Sequence, residues 1–246
     1  MRPESITVPR RFNGPRESGN GGYASGLIAQ ALGGRAEVSL RSPVPLDVPL
    51  EVARESTDEG ERLRVSDGET LVAEARPSGP LAIDLPAPVD RETARRAAAG
   101  YRGPHDGIFS HCFVCGRARG DSLEVYAGEV EGRELVASLW TPPPWAAGAD
   151  GSVSPELVWA VLDCPTYFAT YLGEEPALAF LVSQTVEIHA TVAVGEEHVV
   201  VAWPLAVEGR KRGAGAALLA ADGTPLASCR ALLVEPAAPS GSAAAR

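Results

Sequence analysis

Two stretches of this chain nearly lack charge, and both read as helix. From Ser18 to Gly34 (SGNGGYASGLIAQALGG) no side chain is charged, and from Leu157 to Gly173 only Asp163 is, in a chain that is 22% charged overall. A helix apolar nearly all round must be buried on most sides. In the second stretch Ser154 suits the N-cap, Pro155 the first helical position and Glu156 the positive end of the helix dipole. Leu157, Val158, Val161 and Leu162 form one apolar face, and Trp159 and Ala160 fill much of the rest. In the first stretch Gln30 is the most polar interior residue, behind a Ser-Gly-Asn-Gly-Gly entrance. Two such helices in one chain require two enclosing surfaces.

Short β-rich runs supply them. After the first helix come 36–42, 49–55, 61–67 and 70–77, separated by Pro, Gly and Asp at antiparallel-strand intervals. Residues 78–121 read as a linker with one short helix over 90–101 and a glycine-rich segment containing HCFVCGRARGD. Then the plan recurs: strands at LEVYAG and ELVASLW, the second helix, and the runs AFLVSQTVEIHATV, EHVVVAWPLAV, AGAALLAA and PLASCRALLV. Asp67-Gly68 and Asp222-Gly223 both precede the last run of a half, as hairpin turns with positive φ do. The order predicts a duplicated unit. Its bounds are 1–77 and 122–235, with a disordered tail over 236–246.

A hydrophobic fraction of 45% supports a full core, and a net charge of −10 argues against a nucleic-acid backbone as partner. A phosphorylated small ligand stays compatible, since a few arginines make a local positive site. No run approaches the ~18 apolar residues of a membrane span, and the first residues lack a signal-peptide core. The expectation is a soluble, cytoplasmic protein. Four cysteines are too few for a disulfide scaffold.

Asp163 breaks the local pattern. It lies late in a helix, where the dipole disfavours an anion, between Leu162 and Cys164. Pro165 cannot donate to the carbonyl four residues earlier, so the helix is expected to kink or end there. Desolvation would raise the carboxyl pKa, as suits a general base or nucleophile near neutral pH. The plainer reading is an Asp that hydrogen-bonds the disturbed backbone.

One helix enclosed by an antiparallel sheet, twice over, is the layout of a double hotdog. The sequence resembles the acyl-CoA thioesterase superfamily in its double-hotdog form, similar to acyl-coenzyme A thioesterase II and to an actinobacterial group of that superfamily. The resemblance covers roughly 5–76 and 123–235. It rests on Gly21-Gly22 opening the first helix, Leu162-Asp163 inside the second, and the helix-then-four-strands order. It implies an α+β fold, two helix-wrapped antiparallel sheets in one chain. It also implies hydrolysis of an acyl thioester linked to coenzyme A or a carrier protein, with no cofactor or metal, by a monomer or homo-oligomer of such units. The family's acid, which activates water or attacks the thioester carbonyl, matches Asp163. In double-hotdog thioesterases the glycine-rich helix of one half faces the acid of the other, and the resemblance implies the same here. Gly21, Gly22 and the Tyr23 amide are then the expected oxyanion donors, with Asn20 as a second donor. The alternative for these glycines is tight packing alone.

Relatives place a hydroxyl and an amide beside the acid. Ser183 and Gln184 fall in the matching strand, and Thr166 follows Asp163 by three residues. Where a last-strand glutamine is expected, this chain has Arg230 or Ala231. Arg230 could meet a carboxylate on the acyl group or face solvent on an edge strand. Arg210-Lys211-Arg212 could bind the phosphates of coenzyme A or face solvent. Cys112 and Cys115 read as structural linker cysteines, a redox pair or part of a zinc set, with Cys164 and Cys229 distant in sequence. Two other functions fit the fold: an acyl-thioester or small-lipid binding protein, and a dehydratase or hydratase. The second needs a histidine, usually with an acid, and the hydratases have a Gly-Asp-x-Asn-Pro loop. His105, His111, His189 and His198 all lie outside the first helical half, and no such loop occurs.

Overall fold

The computed structural model describes residues 4–58, 60–103 and 107–237. The first half contains β1 (Ser5–Thr7), α1 (Gly21–Leu32), β2 (Ala36–Leu40), β3 (Pro49–Thr57), β4 (Gly60–Asp67) and β5 (Thr70–Pro77). Next come α2 (Arg91–Ala99), the two-residue β6 (Gly128–Glu129), β7 (Val136–Trp140) and α3 (Pro155–Ala169). The chain closes with β8 (Phe180–Ile188), β9 (His198–Glu208), β10 (Lys211–Leu219) and β11 (Pro225–Val234).

The strands form one sheet in the order β1-β3-β4-β5-β2-β8-β11-β10-β9-β7-β6. All the strand pairings are antiparallel. Outward from the centre the halves run β2-β5-β4-β3-β1 and β8-β11-β10-β9-β7, the same order of corresponding strands. Duplication is thus written into the topology. The halves meet where β2 pairs with β8, Val38 opposite Gln184 and Ser39 opposite Ser183. β1 has no counterpart in the sequence reading; three residues within MRPESITVPRRF carry too little pattern to announce a strand.

Alternation along the strands separates two faces. On β9, Val200 and Ala202 belong to the main core around the helices, while Val199, Val201 and Trp203 belong to a second cluster under α2. α1 and α3 therefore pack on one face of the sheet, and α2 on the other face of the second half. The helices cross antiparallel: Gly22 lies against Trp159, Ala160 and Asp163, and Gly26 against Glu156. A Cβ at Gly22 would stand 2.6 Å from Asp163 Cβ, and one at Gly26 2.5 Å from Glu156 Cα. Both glycines are required by this approach.

Four expectations need correction. α3 does not end at Pro165; it runs to Ala169. The lost backbone bond lies within a helix held by packing on nearly every side, which outweighs one missing donor. Ser154 is at the N-cap but its side chain makes no capping bond. LEVYAG forms no strand of the sheet, because Leu123 N and Val125 N donate to Phe113 and Val114 carbonyls in the cysteine loop. Of the Asp-Gly pairs, Asp67 itself pairs with Thr70, leaving Gly68-Glu69 as the loop with φ 54° at Gly68. The second turn is longer, with Asp222 accepting from the Thr224 amide. The tail from 238 lies outside the described residues; no described helix is long and apolar enough to cross a membrane.

Candidate functional site

The crossing of α1 and α3 forms one end of a cavity of about 320 Å³. Asn20, Gly21, Cys112, Cys115, Asp163 and Cys164 lie at its polar end. Phe109, Tyr167, Phe168, Phe180 and Leu181 form apolar walls.

Asp163 is 7% exposed, and its Oδ2 accepts from the Gly22 amide at 2.9 Å. Burial pushes its pKa up to about 7, opposed by the Gly22 amide, raised further by the neighbouring Cys112, and lowered by the Asn20 side chain. Asn20 is 3% exposed and caps α1, its Oδ1 accepting from Tyr23 N at 2.9 Å. Its Nδ2 lies 3.9 Å from both Cys112 Sγ and Cys164 Sγ. The amides of Gly22 and Tyr23 are therefore already engaged, which corrects the expectation that they serve an oxyanion. The Gly21 amide is the donor left over: among the described residues no backbone acceptor meets it, and Gly21 borders the cavity.

Several expected residues sit elsewhere. Thr166 is fully buried and donates its hydroxyl to the Asp163 carbonyl at 2.6 Å, so it braces the helix beside Pro165. Gln184 points inward beneath α3, donating to the Trp159 carbonyl at 3.1 Å and approaching Cys229 Sγ at 3.4 Å. Its neighbour Ser183 consequently faces the outer side. Arg230, on a central strand, also faces outward and donates to the Ala82 carbonyl at 2.5 Å. The inward residue opposite Gln184 is Ala231. Arg212 is bound to Glu235 at 2.6 Å and to the Thr170 carbonyl at 2.8 Å, and lies over the Tyr171 ring at 4.1 Å. Arg210 donates to the Glu235 carbonyl at 2.7 Å. The two arginines of the basic turn are spent within the fold, and Lys211 is left exposed.

The sequence reading missed the cysteine grouping. Cys164, remote in sequence, has its sulfur 3.7 Å from that of Cys112, and the sulfurs of Cys112, Cys115 and Cys164 all lie within 4.8 Å of one another. The supposed linker is a wall of the site. Phe109, Cys112 and Cys115 all come from it. The available signal was a Cys beside the acid in one helix, together with CxxC followed by Gly.

No protein-family profile matches the chain, and no curated protein matches it in sequence. Solved structures do match. A protein with the hot dog fold from Alicyclobacillus acidocaldarius aligns with a TM-score of 0.60 at 13% identity, covering 96% of this chain and 93% of that one. The fold is a double hotdog. A candidate thioesterase of Novosphingobium aromaticivorans aligns at TM-score 0.58 and 14% identity, over 94% of both chains. A tesB protein of Mycobacterium avium subspecies paratuberculosis aligns at 0.55 and 14%, over 88% of this chain and 86% of its own. The double hotdog explains why the site mixes halves: the amides come from α1, the acid from α3.

Proposed function

We propose that the protein hydrolyses an acyl thioester carried on coenzyme A or a carrier protein. The observation that carries this reading is one carboxylate, Asp163, buried across from the N-terminus of α1 at one end of a mostly apolar cavity. The thioester carbonyl approaches Gly21, where an unengaged amide and the absence of a side chain let charge develop on oxygen. Asp163 takes a proton from water as the water attacks the carbonyl carbon, the C–S bond breaks, and the departing thiolate takes that proton. In the alternative the carboxylate itself attacks the carbon, the C–S bond breaks with the thiolate taking a proton from solvent, and water then cleaves the acyl–aspartyl anhydride to release the acid and restore Asp163. The hydrogen bond from Gly22 orients the carboxylate, and the aromatic walls receive the acyl group. The names of the thioesterase-like structures support the same reading.

The test is turnover of acyl-CoAs from acetyl to palmitoyl, plus aromatic ones, by wild type and Asp163→Asn. Thiol release that the substitution abolishes, with the circular dichroism spectrum retained, supports hydrolysis. Acyl-CoA binding without turnover by the wild type would replace hydrolysis with a binding role.

A further inference from the structure

We propose that Cys112, Cys115 and Cys164 form a site for a thiophilic divalent metal ion of the zinc class, with the fourth coordination position open to the cavity. The inference does not depend on the thioesterase reading. It starts from spacing. A tetrahedral zinc site with Zn–S bonds of ~2.3 Å places neighbouring sulfurs ~3.8 Å apart. Cys112 Sγ and Cys164 Sγ are 3.7 Å apart, and Cys115 Sγ is within 4.8 Å of both. Soft thiolates select zinc and similar ions over hard cations.

The backbone around the first ligand is closed into a tight loop. Gly116 N donates to the Cys112 carbonyl at 2.8 Å, closing the loop so tightly that a Cβ at Gly116 would lie 2.5 Å from that oxygen. The loop thus presents Cys112 and Cys115 to one point, and α3 brings Cys164 to it. Asn20 Nδ2, 3.9 Å from two of the sulfurs, is a further donor to thiolates, the kind of outer partner that tunes a metal site. Three thiols crowded in a dry interior resist joint ionisation, and a divalent cation removes that conflict.

All three cysteines border the cavity, and among the described residues no further His, Cys, Asp or Glu joins the group. Three protein ligands with one position left to solvent or ligand is the pattern of an open site, whereas structural zinc sites close with four. Cys229 is buried beside Gln184 and is not part of the cluster.

The test uses the full chain, stripped with chelator under reducing conditions and titrated with Co²⁺. Saturation is expected at one equivalent per chain, with sulfur-to-cobalt charge-transfer absorption and the intense visible bands of four-coordinate cobalt. Cys164→Ala should weaken binding by more than the ~10–100-fold that loss of an outer partner costs. Cys229→Ala should leave it unchanged. X-ray absorption of zinc-loaded wild type, which requires no substitution to fold, should count three sulfur neighbours and a lighter one. Absence of the charge-transfer band, wild-type affinity in Cys164→Ala, or four sulfur neighbours would overturn the proposal. So would a Cys112–Cys164 disulfide in reduced-purified protein that persists in place of metal.

Discussion

Gly22 and Gly26 face the same neighbouring helix one turn apart, and only Gly22 touches the acid. Replacing each by alanine separates packing from chemistry. In Gly22→Ala the new methyl would stand 2.6 Å from Asp163 Cβ, 2.8 Å from the Trp159 carbonyl oxygen and 2.9 Å from Ala160 Cα. Carbon atoms pack at ~3.5–4.0 Å, so the crossing must open by about 1 Å. Such overpacking costs about 1–3 kcal/mol, or a melting temperature lower by about 2–12 °C in a chain of this size. The same opening pulls the carboxylate away from the Gly22 amide that holds it and shifts it relative to the Gly21 amide. A misplacement of about 1 Å can cost roughly 100-fold in rate, equivalent to ~2.7 kcal/mol of transition-state stabilisation. Gly26→Ala meets Glu156 Cα at 2.5 Å and destabilises by a similar amount, at a point remote from the carboxylate. Thermal melts followed by circular dichroism, and kcat/KM on the best acyl-CoA below both melting temperatures, compare the two. The expected result is matched destabilisation with about 100-fold loss confined to Gly22→Ala. Equal kcat/KM losses in the two variants would refute the claim that Gly22 positions the acid.

Four further outcomes follow from the same geometry. In chelator-treated protein, kcat/KM should fall as pH drops through about 7, where Asp163 becomes protonated, and Asp163→Asn should be inactive at every pH. Because the folded-state pKa is raised, ionised Asp163 opposes folding above its unfolded value near 3.8. Asp163→Asn should therefore be more stable than wild type at pH 8, on the order of a few kcal/mol, with the gain vanishing below pH 3.8; denaturant melts across pH measure it. Arg212→Ala removes bonds to Glu235 and Thr170 and should lower stability by about 1.5–3 kcal/mol while leaving KM for acyl-CoA unchanged, since that guanidinium is committed to the fold. Asn20→Ala removes the α1 cap and should cost about 0.5–2 kcal/mol by denaturant melt.

The parts legible in the sequence were those with a strong local period. Two helices without a polar face had to be enclosed, and the β-rich runs after them gave β2–β5 and β8–β11 nearly in place. Asp163 was legible because a charge in such a helix contradicts its surroundings. What stayed hidden depends on distance in three dimensions. Gly22 N and Tyr23 N looked like free helix-terminal donors, and only the crossing of α1 with α3 shows Asp163 and Asn20 occupying them. Arg230 and Ala231 could not be told apart until the register of β11 on β8 put Ala231 inward.

The duplication sharpens the meaning of this asymmetry. Counted from the helix starts at Gly21 and Pro155, the position in α1 that corresponds to Asp163 in α3 is Ala29, and Gly22 corresponds to Glu156. A symmetric pair of sites would need a carboxylate on both helices and a small residue on both. This chain keeps the bare glycines on α1 and the acid on α3, so the two halves supply complementary parts of the candidate site. The cysteines repeat the division: Cys164 adjoins the acid on α3, its counterpart on α1 being Gln30, while Cys112 and Cys115 come from the segment between the halves. Neither half contains the acid, the amides and all three thiols, so separating the halves should abolish the whole constellation at once.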